Sequence, residues 1–225
     1  MRTLFTLDPV GLISAASLGV ALLLLGGFPM GVYFLLVMLY FLILSAIVTR
    51  MGSTRKKVLG VYEHSRGWRN VIANGSAPLL MAGLFFVNSY YGMVGPSILV
   101  LGYVAGVAAI TADKFASEIG VLGKAPIMLL TLKKTKRGVS GGVTVLGFAF
   151  SLIAAVFISA SVFFMPIHGN FTLYFFIAVF AAFIGNLADS VFGYFEEQGI
   201  GNKYTSNLAC ALAGTAVAII IALML

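Results

Sequence analysis

Seven stretches of about twenty mostly apolar residues, the length that spans a bilayer as a helix, run almost end to end through this chain. No other feature constrains its fold as much. A hydrocarbon core of about 30 Å takes about 20 helical residues per crossing, and every backbone N–H and C=O must be satisfied inside the segment. Counted between charges, the stretches fall at roughly 9–27, 31–48, 71–89, 93–112, 143–165, 171–190 and 206–225. In water they would need a polar coat, and the chain has little to offer. It holds 14 Lys and Arg and 7 Asp and Glu in 225 residues, with a mean hydropathy of +1.06. A soluble enzyme, a disordered chain and a secreted disulfide scaffold are excluded. Cys210 is the sole cysteine, so neither a disulfide nor a Cys-based zinc site can form within one chain. His64 and His168 lie too far apart in sequence to begin a metal cluster.

The expected fold is therefore all-α: a polytopic integral membrane helical bundle, a single domain over residues 1–225 with about seven transmembrane helices. Six would remain if the third stretch, which opens with Asn70, Asn74, Gly75, Ser76 and Pro78, were not a span. The first stretch does not read as a signal peptide. Only Arg2 precedes it, and it runs through Gly26-Gly27-Phe28-Pro29 straight into the next span.

The connections divide sharply by charge. Those around 28–30, 90–92 and 166–170 carry no Lys or Arg. Arg2 precedes the first span, and residues 49–70 hold Arg50, Arg55, Lys56, Lys57, Arg66 and Arg69. Residues 113–142 hold Lys114, Lys124, Lys133, Lys134, Lys136 and Arg137, and the last connection holds Lys203. All the basic residues thus share one side, which the positive-inside rule makes the cytoplasmic one, with the N-terminus inside. The net charge of +7 reflects this bias and not an affinity for nucleic acid. All the acids also lie on or near that side, so chemistry is expected to face the cytosol, in the plasma membrane of a prokaryote or archaeon. No inverted repeat of the kind found in transporters is visible. The Gly102/Gly106 spacing suits close helix packing.

Polar residues gather in three cytosolic segments, 49–76, 111–142 and 185–207. An Asp or Arg at membrane depth costs about 2.5–3.5 kcal/mol on insertion scales, so such residues persist where they meet water, each other, a metal or a substrate. In the first segment Arg66, Asn70 and Asn74 share a helical face, with Arg69 beside them, a set suited to a phosphate-bearing ligand or to phospholipid anchoring. In the second, Asp113 and Ser117 lie one turn apart, as do Lys114 and Glu118. A basic cluster with Lys133, Lys134, Lys136 and Arg137 follows, and then Gly138-Val-Ser-Gly141-Gly142 opening the next span. Glycines there would expose N–H groups to an anion at a helix amino terminus. Together with the lysines and a magnesium-binding carboxylate, they supply the parts for phosphoryl transfer. In the third, Asn186, Asp189, Ser190 and Gly193 form one helical stripe, with Glu196, Glu197, Asn202, Lys203 and Asn207 extending the polar inner surface.

The segments ASEIGVLGKAP, KRGVSGGVTVLG and GNLADSVFG, together with RNVIANGSAP, resemble the transmembrane protein 19 and plant phytyl-phosphate kinase family. The resemblance runs from about residue 60 onward, in the expected order. It implies a prenyl-phosphate kinase with CTP as donor. A more distant similarity is to cytidylyl-using membrane enzymes, whose KKT-x-x-G-x-x-GG pattern reads here Lys133-Lys134-Thr135-Lys136-Arg137-Gly138-Val-Ser-Gly141-Gly142. Arg137 stands where those enzymes usually have Glu, so a carboxylate role does not carry over.

The resulting expectation is a membrane-embedded kinase acting on an isoprenyl monophosphate such as phytyl or geranylgeranyl phosphate. Asp113, Glu118 and Asp189 would be catalytic and hold Mg²⁺. Arg66, Arg69, Asn70, Asn74, Ser117, Lys133, Lys134, Arg137, Gly138, Gly141, Gly142, Asn186 and Ser190 would bind the substrate and nucleotide phosphates. The expected partners are a nucleoside triphosphate, the isoprenyl phosphate, the membrane and, as an allowed further partner, a second copy in a homo-oligomer. The rival readings are a cytidylyltransferase making a CDP-lipid and a non-enzymatic transporter or flippase of lipid phosphates.

Overall fold

The computed structural model describes residues 7–62 and 67–225. Arg2 and Arg66 lie outside the described residues. Among the described residues seven helices are long and apolar enough to cross a membrane: α1 (Pro9–Gly26), α2 (Met30–Arg50), α4 (Trp68–Tyr91), α5 (Pro96–Gly120), α6 (Val145–Ser159, continued by a 3-10 turn to Phe164), α7 (Phe171–Glu196) and α8 (Lys203–Met224). A short helix, α3 (Ser53–Val58), follows α2 on the inner side. A two-stranded antiparallel ribbon, β1 (Ile127–Met128) and β2 (Gly142–Val143), lies between α5 and α6, pairing Ile127 with Val143 and Met128 with Gly142. The protein is an integral membrane helical bundle, and the doubtful third stretch is a full span with Pro78 inside it.

The starts of the helices are set by local chemistry. Asp8 caps α1, accepting from Gly11 N at 2.6 Å, with Pro9 at the first helical position. Asn170 caps α7, and Asn202 with Thr205 forms a reciprocal capping box on α8. That box starts α8 at Lys203, three residues before the apolar count at 206, and puts Ser206 at the end of its first turn and Asn207 at the start of the second.

α5 is the central helix, buried along almost its whole length against α4, α6, α7 and α8. Its composition explains why: Gly and Ala let backbones approach, and dense packing is what associates helices where lipid supplies no hydrophobic drive. Ala109 wedges between Gly185 of α7 and Gly214 of α8, and a Cβ added at either glycine would lie 2.7 Å from the Ala109 Cβ. Gly106 faces Thr215, whose hydroxyl donates to Gly102 O at 3.2 Å. On the other flank Tyr103 stacks on Phe34 and donates its hydroxyl to Phe34 O at 2.6 Å, tying α2 to α5.

Two helices outrun their apolar stretches. α5 has 25 residues and α7 has 26. At 1.5 Å per residue these are about 38 and 39 Å long, against a hydrocarbon core of about 30 Å. The expected ends at 112 and 190 therefore move to 120 and 196, and the surplus turns carry Asp113 to Glu118 and Val191 to Glu196 on the inner side. Counting follows apolar runs and stops where polar residues gather, whereas a helix continues while its polar groups find partners.

Candidate functional site

The inner ends of α5, α7 and α8, together with the loop leading into α6, enclose a cleft of about 520 Å³. At its heart the carboxyl groups of Asp113 of α5 and Asp189 of α7 are near enough to interact, and beside them the Ser206 hydroxyl of α8 donates to Glu196 Oε2 at 3.3 Å and to Lys203 O at 3.1 Å. The spacing Asn186, Asp189, Ser190 and Gly193 does form one face, and that face looks onto the cleft and its loop. Asn186 is only 1% exposed. Its Nδ2 and the Asp189 Oδ1 are both buried and without a hydrogen-bond partner. Buried polar groups are normally satisfied, and both of these orphans belong to residues that line the cleft.

The loop from Lys136 to Gly142 roofs this cleft. Ser140 donates its N–H to Glu197 Oε1 at 2.8 Å and its hydroxyl to Glu196 Oε2 at 3.1 Å, fastening the loop to the end of α7. Gly141 has φ +74°, and a Cβ there would lie 2.6 Å from Ser190 O and 2.7 Å from Tyr194 N. Gly193 meets the same loop from the helix side. Close approach of backbone to helix is therefore what Gly141 and Gly193 provide. This corrects the expectation of a glycine-rich anion hole at the start of α6. That helix begins at Val145, the Thr144 hydroxyl caps it by accepting from Gly147 N at 3.0 Å, and the N–H groups of Ser140 and Gly142 already donate to Glu197 and Val139. Gly141→Ala adds about 1–2 kcal/mol of left-handed backbone strain on top of that clash. The expected result is faster tryptic cutting between Lys133 and Arg137 in the detergent-solubilised protein. Unchanged cutting would mean the loop is not held by this contact.

Of the residues singled out from sequence, the cleft gathers Asp113, Ser117, Glu118, Arg137, Gly138, Gly141, Gly142, Asn186, Asp189 and Ser190. Among the described residues it does not gather Arg69, Asn70, Asn74, Lys133 or Lys134. Lys133 and Lys134 are exposed on the ribbon segment, where Lys133 O accepts from Met128 N and Lys134 bridges Ile127. Lys136 and Arg137 line the cleft instead, joined by Lys203. Asn70 and Asn74, linked by a 2.9 Å side-chain hydrogen bond, border a separate crevice of about 40 Å³ among α1, α2 and α4, with Leu18, Met38 and Phe41. Arg69 stacks over Trp68 at 5.5 Å. Glu118 lines the cleft, but its carboxylate accepts from Lys56 at 2.7 Å, from Thr49 at 3.1 Å and from Lys114. Asp113, Glu118 and Asp189 therefore do not converge as three ligands, and no group of three His, Cys, Asp or Glu side chains suited to a metal occurs among the described residues. Sequence reasoning missed Thr144 and Ser206. The signal for Ser206 was the Asn202-x-x-Thr205 capping box, which sets where α8 begins.

What the donor set does fit is a metal shared with a substrate. Magnesium keeps several waters and is bound through one or two carboxylates plus substrate phosphates. Asp113 and Asp189 offer two carboxyl groups, and Lys136, Arg137 and Lys203 supply positive charge at the rim.

The comparisons with known proteins agree with this architecture. An uncharacterized membrane protein, MJ0933, from Methanocaldococcus jannaschii is 31% identical over 217 residues, covering 96% of this chain and 85% of that protein. Protein VTE6, chloroplastic, from Arabidopsis thaliana is 29% identical over 202 residues, covering 85% of this chain and 58% of that protein. An uncharacterized membrane protein, sll0875, from Synechocystis is 36% identical over 129 residues, covering 55% of this chain and 49% of that protein. The chain thus spans only about half the length of the latter two. No solved structure matches. The family model described as integral membrane protein DUF92 matches residues 2–216, and with seven spans and an archaeal relative alignable along nearly its whole length, this chain belongs to that family.

Proposed function

We propose that this protein is a prenyl-phosphate kinase acting at the cytosolic face of its membrane. The donor is a nucleoside triphosphate, CTP by resemblance, and the acceptor an isoprenyl monophosphate of the phytyl or geranylgeranyl class. The observation that carries the reading is the cleft in which Asp113 and Asp189 meet beneath Lys136, Arg137 and Lys203. The motif resemblance to plant phytyl-phosphate kinases and the alignment to the chloroplast protein VTE6 support it.

Phosphoryl transfer asks for positioning and charge neutralisation and needs no His or Cys nucleophile. Lys136, Arg137 and Lys203 would draw the phosphates to the mouth. Asn186 Nδ2 would donate to a phosphate oxygen and end its own lack of a partner, while Ser190 and Asn207 line the same wall. Mg²⁺ held by Asp113 and Asp189 would neutralise charge on the donor's β- and γ-phosphates. An oxygen of the acceptor's phosphate then forms the new P–O bond to the γ-phosphorus as the β–γ bridge breaks. The nucleoside diphosphate leaves, and the prenyl diphosphate is the product. The roof loop limits water access, and the apolar wall of Val121, Val143 and Phe148 faces the acceptor's chain.

The test is a nucleotide-consumption assay on detergent-purified protein with Mg²⁺, geranylgeranyl or phytyl phosphate, and CTP or ATP, with the phosphorus products resolved. CDP together with a prenyl diphosphate is the expected outcome. Pyrophosphate with a CDP-lipid would replace the kinase by a cytidylyltransferase. No consumption of either nucleotide, with substrate still protecting the protein from unfolding, would leave a lipid-phosphate transporter.

A further inference from the structure

Lys56 is 0% exposed, an unusual state for a lysine in a short helix on the inner side. Its ammonium donates to Glu118 Oε2 at 2.7 Å, to Val48 O at 3.1 Å and to Thr49 O at 3.2 Å. The two carbonyls belong to the last turn of α2, where backbone acceptors lack helical partners. One side chain therefore closes the end of α2 and grips the last turns of α5. Glu118 is fully engaged in return, taking Thr49 Oγ1 at 3.1 Å on its other oxygen together with Lys114. Asp113 and Ser117 stand on the same surplus turns of α5, on the wall of the cleft.

We infer that Lys56 is a positioning residue, acting through Glu118 to fix the inner end of α5 so that Asp113 meets Asp189. Its counterpart follows: the Glu118 carboxylate is committed to lysines and does not ligate the donor's metal. A buried ion pair is weak evidence of stability, but removing one partner strands the other's charge and is costly, while removing both is far less so. The network thus predicts strong coupling between the two positions, whatever the protein's substrate. Its kinetic consequence rests on the kinase reading.

The experiment compares wild type with Lys56→Met, Glu118→Gln and the double variant in detergent, measuring Tm and, well below each variant's own Tm, kcat and the KM for the Mg²⁺–nucleotide complex. Glu118→Gln should lower Tm most, because it strands Lys56 and Lys114 together, and Lys56→Met should reduce kcat by about 10- to 100-fold, the usual cost of losing a supporting contact behind a metal site. The double variant should regain much of the Tm lost in Glu118→Gln but keep the low kcat of Lys56→Met, since the tie to α5 is still absent, and Glu118→Gln should keep its KM for the Mg²⁺–nucleotide complex. Additive Tm losses would overturn the coupling, as would a double variant that cannot be purified when Glu118→Gln can. A Glu118→Gln protein with wild-type Tm but a raised Mg²⁺ requirement would overturn the assignment by making Glu118 a ligand. If wild type consumes no nucleotide, the kinase reading fails alone, and the Tm cycle still decides whether Lys56 acts through Glu118.

Discussion

Asp189→Asn and Asp113→Asn are each expected to lower nucleotide turnover by about 100- to 1000-fold, the range seen when one preorganised electrostatic group is lost from a catalytic site. Neither should unfold the protein. Asn has the shape of Asp, and the substitution removes one of two facing carboxyl groups with Glu196 close by. The expected pattern is thus a Tm equal to or above wild type with activity nearly gone, read from the same nucleotide assay and a thermal melt in detergent. A core role for these acids would give the opposite pattern, with Tm and activity falling together. Full activity in both variants would end the site assignment, because Glu196 and Glu197, the other neighbouring carboxylates of the cleft, already accept from the Ser140 N–H and hydroxyl.

The second large effect concerns the point where α5, α7 and α8 touch. Gly→Ala in a helix usually gains about 1 kcal/mol in propensity, but at Gly185 and Gly214 the sign reverses. A Cβ at Gly214 would lie 2.7 Å from the Ala109 Cβ, with its remaining neighbours, Ala105 O and Ala181 O, at 3.2 and 3.4 Å. A Cβ at Gly185 would meet Ala109 Cβ and the Cys210 carbonyl oxygen, both at 2.7 Å. Overpacking of this kind costs about 1–3 kcal/mol, more where backbone must move. Both single variants should therefore melt lower than wild type. Ala109→Gly removes the methyl that blocks Gly214→Ala, so the pair should recover much of the loss. The same change should not rescue Gly185→Ala, since the Cys210 carbonyl cannot withdraw without shifting α8. Equal rescue of both would show that Ala109 is not the wedge. Gly185 adjoins Asn186, so its variant should also weaken activity beyond what its Tm explains.

The relation between the cleft and the chain's charges bears on how lipid and nucleotide meet. Every helix end that lines the cleft lies on the Lys- and Arg-rich side. On the proposed kinase reading, the donor would enter from water while the acceptor's chain stayed among the spans.

The sequence by itself determined the class of fold, the number of crossings and their direction. Those follow from two properties that are local and additive: the length of apolar runs set by bilayer thickness, and the side on which each basic residue falls. It also marked the stripe Asn186, Asp189, Ser190 and Gly193, because helical periodicity places residues without reference to any partner. Tertiary structure alone decided which polar groups share a site. Asp113, Glu118 and Asp189 look alike as acids near helix ends, yet Glu118 turns to Lys56 and Lys114 while Asp113 faces Asp189. The glycines at 138–142 look like an anion cradle, yet Gly141 serves a backbone contact with α7. Asn70 and Asn74 border a different crevice altogether. The physical reason is common to all three: where a side chain finds its partner depends on how long helices register against one another, and that register is set by small-residue contacts such as Ala109 between Gly185 and Gly214, far along the chain from the groups they align.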